Sequence, residues 1–440
     1  MKPINVGLLG FGTVGAGVAK ILINNKDLIT DRVGTEINLN RIGDIDLTTD
    51  RGVTLAPGTI TDDSMSIIND PNIDIIVETI GGTGIAKTFM EAALNARKHV
   101  VTANKALLAM HGPELFALAR EKSVGLYYEA SVGGCMPVIK TIRESLVGNH
   151  INSFMGILNG TCNYILTKIE NEGHPFDDVL KEAQKMGYAE ANPTLDIDGF
   201  DTAHKLAILT AISFGVKIDL ASLYVEGIRN ITPLDIAHAK EFGYKIKLLA
   251  IAKMHDGKIE ARVQPTMIPR DSMLANVSGT LNAVNINGDA VGDVLLYGHG
   301  AGMMPTGSAI VSDIVDISRN ILQGGQMRLP GLSFTHTAAK ATPIMPVEEV
   351  ETHYYFRFTV KDCPNVLATI AGILGQNNIS IKSVQQQGKN SDGSVPVVML
   401  SHKAKEANVL KALSAINVLD VVQEPSVLIR IEDLRSGLSG

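Results

Sequence analysis

Cysteine is scarce, with three in 440 residues (Cys135, Cys162 and Cys363), far apart and without a Cys-x-x-Cys pair. An odd, dispersed set supplies neither a disulfide framework nor the ligand spacing of a structural zinc site. It fits a reducing compartment, so a cytoplasmic protein is expected. Long apolar runs are missing too. The longest, Leu206 to Val216, falls well short of the ~18 residues that suggest a membrane span, and no membrane association is expected. Lys2 and the apolar residues up to Leu22 imitate a secretory leader, but Gly7, Gly10, Gly12, Gly15 and Gly17 punctuate them and no small-residue cleavage site follows. No basic stripe occurs either: 39 Lys and Arg against 46 Asp and Glu are interspersed, for a net charge of -7. Nucleic acid is therefore not an expected partner.

What remains is an ordinary globular mixture, 45% hydrophobic and 19% charged, long enough for two or three domains. Ile4–Leu9, Ile37–Ile45, Ile73–Val77, His99–Thr102 and Gly125–Glu129 read as strands. Helical patterns at Thr13–Ile23, Ala86–Arg97 and Pro113–Lys122 alternate with them, and this rhythm predicts a Rossmann-type, doubly wound parallel sheet over 1–134. Past residue 135 helices dominate (136–147, 161–171, 175–185 and 199–214). Ile259, Ala261 and Val263 alternate with polar residues as in a half-exposed antiparallel strand. An α+β domain over 135–302 is expected, serving catalysis and dimerisation. The apolar helix Ala309–Leu322 should return within 303–325 to complete the first domain. A linker over 326–350 leads to a β-α-β-β-α-β, ferredoxin-like unit over 351–432.

Gly10-Phe11-Gly12-Thr13-Val14-Gly15 is a G-x-G-x-x-G placed between a strand and a helix, the context in which the motif binds a dinucleotide. Gly10 permits the tight turn, Gly12 lets backbone amides approach a pyrophosphate, and Gly15 allows helix to pack on strand. The pyrophosphate would rest on the positive end of the helix dipole. Asp44, at the end of the second strand, is the candidate for the ribose hydroxyl, although it comes 29 positions after Gly15 instead of the usual ~20. An acid there repels a 2′-phosphate and favours NAD, while nearby Arg51 leaves room for NADP. Asp44 also reads as a solvated loop acid. Gly81-Gly82 reads either as a plain turn or as the chain passing beneath the nicotinamide.

The densest polar cluster runs from Gly187 to Lys205, where four carboxylates precede one lysine and Asp201 stands four residues before Lys205. That spacing alone is also the spacing of a surface ion pair. The helix is otherwise apolar (Leu206, Ala207, Leu209), which argues for a desolvated lysine able to pass a proton to a carbonyl oxygen. His204 faces elsewhere and is expected to be structural.

The run A-x-x-x-G-Y-A-x-x-x-P-x-x-D-x-x-G-x-D-x-x-x-K, Ala183 to Lys205, resembles the signature of homoserine dehydrogenases. The resemblance extends from the glycine motif through Thr102-Ala103-Asn104-Lys105 and Asn159-Gly160-Thr161 to Gly300-Ala301-Gly302, about residues 1–325. The C-terminal unit is similar to an ACT regulatory domain, with Asn365 in Asp362–Leu367 where glycine is usual. The resemblance implies reversible, NAD(P)-dependent interconversion of L-homoserine and L-aspartate 4-semialdehyde, on the route to threonine, isoleucine and methionine. It makes Lys205 the acid/base on the C4 oxygen, with Asp201 orienting it. Glu190 would hold the substrate ammonium, with Gly187, Asp196 and Lys105 in the substrate site. Gly81, Thr102, Lys105 and Gly302 would approach the cofactor, Gly302 because a side chain there would clash. Lys105 otherwise reads as a solvated loop lysine and Gly302 as an ordinary helix-entry glycine. Glu129, with the carbonyls of Val132, Gly134 and Met136, would hold a monovalent cation (sodium). From the residues alone that stretch reads only as a strand end and a Gly-Gly hinge. An amino-acid effector at the ACT-like unit is also implied. The apolar second domain suggests at least a homodimer, which pairing through the ACT-like unit would make a homotetramer.

Two other functions compete. A dehydrogenase that forms an acyl phosphate needs an activated cysteine, and Cys135 has no histidine nearby in sequence. A nucleotide-binding sensor leaves the carboxylate–lysine cluster without a purpose.

Overall fold

A computed structural model describes residues 2–324, 331–334, 342–386, 388 and 393–433; of the expected linker, 326–330 and 335–341 lie outside them. The chain divides into two units. The first comprises Met1–Gly160, Asp201–Ala221 and Thr280–Thr342, and the second Thr161–Phe200, Ser222–Gly279 and Pro343–Gly440.

In the first unit six parallel strands alternate with helices: β1 (Ile4–Leu9), α1 (Thr13–Asn24), α2 (Lys26–Val33), β2 (Ile37–Gly43), β3 (Ile60–Thr61), α3 (Ser64–Ile68), β4 (Ile75–Glu78), α4 (Ile85–Asn95), β5 (His99–Thr102), α5 (Lys105–Glu121) and β6 (Leu126–Tyr127). The order across the sheet is β3-β2-β1-β4-β5-β6, with Val6 beside Leu39 on one side and Ile75 on the other. Strand order reverses at β1, so the crevice beyond the carboxyl ends of β1 and β4 is where such a sheet takes a ligand. The doubly wound parallel sheet expected from the alternation is the one found.

Three antiparallel strands follow in the same unit: β7 (Ile151–Ile157), β8 (Leu281–Gly288) and β9 (Gly292–His299), with Ala283 facing both Ile157 and Tyr297. Helix α6 (Phe200–Phe214) contributes from Asp201 onward. Helix α7 (Met303–Leu322) lies on α1 and buries Ile310, Ile314 and Ile317 with Val18 and Leu22. The crossing is very close, since a Cβ on Gly17 would stand 2.1 Å from the Met303 carbonyl oxygen.

Two helical expectations need correction. The helix placed at Pro113–Lys122 begins at Lys105, and Pro113 lies inside it. Asn104 starts it by accepting the Leu107 amide at 3.1 Å, a capping signal that outweighs the proline. The helix placed at 136–147 is only Val138–Lys140, running into a π-turn over Thr141–Ser145.

The second unit carries the helices Gly160–Glu172 (from Thr161), Phe176–Lys185 and Pro233–Glu241, and the hairpin of Tyr244–His255 with Lys258–Pro269. The latter strand is antiparallel, as expected, but not half-exposed: Glu260, Arg262, Gln264 and Thr266 are all buried. Arg262 pairs with Glu260 and with Glu432 of the C-terminal segment, whose strand Val427–Ile431 lies parallel to its end. The polar alternation faces an internal ion network, not water. The C-terminal elements Glu351–Lys361, Val366–Gln376, Ile381–Gln386, Ser394–Ser401, Glu406–Ile416 and Val427–Ile431 follow the expected β-α-β-β-α-β order. Val427–Ile431 pairs with Glu351–Lys361, which pairs with Ser394–Ser401, and that with Ile381–Gln386. Asn365 adopts φ +70°, so this position keeps the left-handed turn, which asparagine adopts more readily than most residues other than glycine.

Candidate functional site

The glycine turn is shaped by contacts that leave no room for side chains on its protein side. Gly10 has φ +93°, and a Cβ there would lie 2.8 Å from the Thr79 carbonyl carbon; one on Gly15 would lie 2.1 Å from the Gly10 oxygen. Gly12 faces open space, as a backbone that a pyrophosphate approaches should. Asp44 lies beside this turn, its carboxylate accepting the Phe11 amide at 2.5 Å and the Asp46 amide at 2.9 Å. It is thus a half-buried loop organiser at the carboxyl end of β2. Arg51 donates through Nε to the Phe11 carbonyl at 2.6 Å and pairs with Asp46 at 3.0 Å. Gly15→Ala is expected to destabilise the protein by about 1–3 kcal/mol through overpacking. It should also weaken NADH binding at least about tenfold, read by thermal melting and fluorescence titration.

Sequence reasoning missed the scaffold beneath the second glycine pair. Glu78 is fully buried, and its carboxylate accepts the Ile80 and Gly81 amides at 2.8 and 3.0 Å and the Thr102 hydroxyl at 2.6 Å. Asn104 donates to the Gly82 carbonyl at 2.7 Å while it caps α5. Gly81 and Gly82, both at positive φ with open space around them, are therefore held by the strand end that also launches Lys105. An acid ending a buried apolar strand was the available signal. Gly302 has φ +119° at the start of α7, where a Cβ would only touch Pro305 at 3.4 Å.

Lys105, Asp201 and Lys205 converge. Lys205 donates to Asp201 Oδ2 at 2.7 Å and to the Leu158 carbonyl at 2.6 Å, and Asp201 Oδ1 meets the Lys105 ammonium at 3.1 Å. Asn159 adds a donor to Asp201 Oδ2 at 3.0 Å. Burial opposes ionisation of Asp201, yet the Lys205 and Lys105 charges override it and hold the carboxyl well below the usual carboxylate range. Lys205 is 8% exposed, so this is not the surface ion pair that i,i+4 spacing usually signifies. His204 is half-buried, and burial pushes it below its ordinary value. Asn159 was legible only as part of the Asn159-Gly160-Thr161 run.

Gly187, Glu190 and Asp196 belong to the second unit. Gly187 and Glu190 are exposed, Asp196 lies half-buried in the turn Thr194–Ile197, and its carbonyl receives the Cys162 thiol at 3.2 Å. Within the first unit Asp201 pairs with Lys205, and within the second Asp198 pairs with Arg229.

Glu129 is 3% exposed, its two oxygens accepting the Ile139 and Lys140 amides at 2.9 and 2.8 Å. Burial, with Asp313 adding repulsion, pushes its pKa up to about 8. Gly134 turns at φ +60°, and the Met136 carbonyl accepts the Val138 amide at 2.8 Å; Val132 is buried beside them. Among the described residues no group of three or more His, Cys, Asp or Glu could hold a metal ion. A desolvated carboxylate with lone pairs to spare suits a monovalent cation completed by backbone carbonyls, and not a carboxylate-rich divalent site.

The chain matches the family model "Homoserine dehydrogenase" over residues 137–315 and "Homoserine dehydrogenase, NAD binding domain" over 10–129. A homoserine dehydrogenase of Pseudomonas aeruginosa is 45% identical over 437 residues, 99% of this chain and 100% of the relative. The crystal structure of one from Thiobacillus denitrificans superposes with a TM-score of 0.93 at 46% identity, covering 99% of each chain. A hyperthermophilic archaeal homoserine dehydrogenase in complex with NADPH superposes with a TM-score of 0.62 at 28% identity, covering 74% of this chain and 100% of that one. With matches that span both the glycine turn and the lysine cluster, the chain belongs to the homoserine dehydrogenase family.

Proposed function

We propose that the protein interconverts L-homoserine and L-aspartate 4-semialdehyde with NAD or NADP, Lys205 moving the proton at the C4 oxygen. The carrying observation is the buried Lys205 ammonium, fixed by Asp201 at 2.7 Å and the Leu158 carbonyl at 2.6 Å. An ammonium has three donors, so two hold Lys205 in place and the third is left for the substrate oxygen. A bound nicotinamide supplies or accepts the hydride. In semialdehyde reduction the Lys205 ammonium protonates the alkoxide and is left as a neutral amine, and in homoserine oxidation that neutral amine, having first released a proton to solvent, takes the hydroxyl proton. Asp201 stays ionised throughout and keeps the ammonium oriented. Lys105 serves the substrate and cofactor site, and Glu190 the substrate ammonium, with Gly187 and Asp196. Gly10 to Gly15, Gly81, Thr102 and Gly302 would border the dinucleotide. Asp44 would accept from the adenosine ribose, and Arg51 beside it would meet a 2′-phosphate, so both dinucleotides are accommodated.

The test is the near-ultraviolet absorbance of reduced nicotinamide on adding homoserine with NAD or NADP. Homoserine-dependent reduction supports the assignment, and none with either dinucleotide overturns it. Glu129 and the carbonyls of Val132, Gly134 and Met136 would hold sodium, which would neutralise a buried charge and brace the start of the helix at Val138. Sodium chloride is then expected to raise Tm above choline chloride at equal ionic strength, by linkage. Glu129→Gln should erase that difference. The C-terminal unit, with its ACT-like turn at Asp362–Leu367, would take an amino-acid effector, and assembly as a homodimer or homotetramer would be read by light scattering.

A further inference from the structure

One turn along α5 from Lys105, and one turn along α6 from Lys205, the two helices line a cavity of about 630 Å³ within the first unit. Its walls are apolar: Leu108, Phe116, Ile208 and Phe214, with Leu332 and Phe334 contributed by the segment 331–334. Packed interiors keep few voids larger than a water molecule, whereas ligand sites occupy roughly 300–1,000 Å³. Phe334 is itself 44% exposed, with its ring against Gly215, where a Cβ would come within 2.9 Å. The cavity is therefore walled by an aromatic side chain that the fold does not fully bury.

The polar groups around it are of one sign. Arg120 and Lys217 are the charged ones among the described residues of the lining, with no Asp or Glu. Among the described residues neither cation forms an ion pair. The Tyr128 hydroxyl is spent on the Gly331 carbonyl at 2.6 Å, which ties the segment 331–334 to the residue that follows β6. No described residue of the lining offers an acid to an ammonium group, so an amino-acid zwitterion is poorly matched.

We infer that this cavity binds a small organic anion with an apolar body, such as a medium-chain or aryl carboxylate, its acid group at Arg120 and Lys217. The site is separate from the substrate cluster and does not depend on the proposed activity.

The probe is 1-anilinonaphthalene-8-sulfonate, titrated into the full chain by fluorescence, with octanoate as competitor. One dye per chain is expected, displaced by octanoate. Ala211→Trp, which fills the cavity without touching the lysine cluster, should weaken dye binding at least about tenfold; Ala109→Phe should do the same should the first variant fold poorly. Arg120→Ala with Lys217→Ala should weaken octanoate by about tenfold while leaving octanol, which lacks the charge, unchanged. Dye binding that survives both filling variants, in protein that melts like wild type, places the dye elsewhere and overturns the site. Equal loss of octanoate and octanol in the double variant overturns the anionic assignment.

Discussion

Lys205→Met is expected to lower kcat for homoserine oxidation by between about 10² and 10⁴, the range that a positioned acid/base contributes. NADPH affinity should stay within about twofold of wild type, because Lys205 approaches no residue of the glycine turn: its partners are Asp201 and the Leu158 carbonyl. Methionine preserves the stem that packs in α6, and so separates chemistry from folding. Two further readouts distinguish a proton carrier from a structural post. Small primary amines added to the assay should restore part of the rate, and the loss should fall on kcat more than on KM. A variant that keeps more than a tenth of wild-type kcat would remove Lys205 from the chemistry.

The second large effect is on stability. Asp201→Asn leaves two ammoniums, Lys205 and Lys105, around a neutral amide. Removing one partner from a buried ion pair costs roughly 3–5 kcal/mol. The low end, about 3 kcal/mol, is expected here, since the Lys105 side chain is 38% exposed and its share is screened by water. The pH dependence carries a sign. The Asp201 carboxyl is held below its unfolded value, so its contribution is complete above that value, about pH 3.9. It fades as pH falls further toward the folded value. Melting curves of wild type and variant should therefore differ most near neutrality and approach each other in strong acid. A gap that widened as pH fell would contradict the ion-pair account.

What could be read in the sequence depended on whether a signal was local. The glycine turn, the strand–helix alternation and the i,i+4 pair at Asp201 and Lys205 each lie within a few residues of chain, and periodicity or spacing reveals them. Lys105 and Asn159 reach the same carboxylate from positions 96 and 42 residues before Asp201, which no local pattern encodes; resemblance to a family supplied the first and quoted the second without a role. Glu78 escaped because an acid after Ile-Ile-Val looks like a strand leaving the core, while its carboxylate in fact stays inside on two amides and a hydroxyl. Glu260 and Arg262 behave in the same way. Polar alternation suggests a wet face, and a partner of Arg262 170 residues away, Glu432, helps make it a dry one.

That dry face has a consequence for modularity. A chain shortened ahead of Val427 would uncover the end of the Lys258–Pro269 strand, a raw ladder edge of the kind that recruits other chains. It would also strip Arg262 of Glu432. Grafting the C-terminal segment elsewhere would carry away Arg430 with Glu406 but without Glu226, its second counterion on the neighbouring loop. The tail is thus a keystone of its unit, and a functional truncation would need compensating changes at Arg262 and along the bared strand.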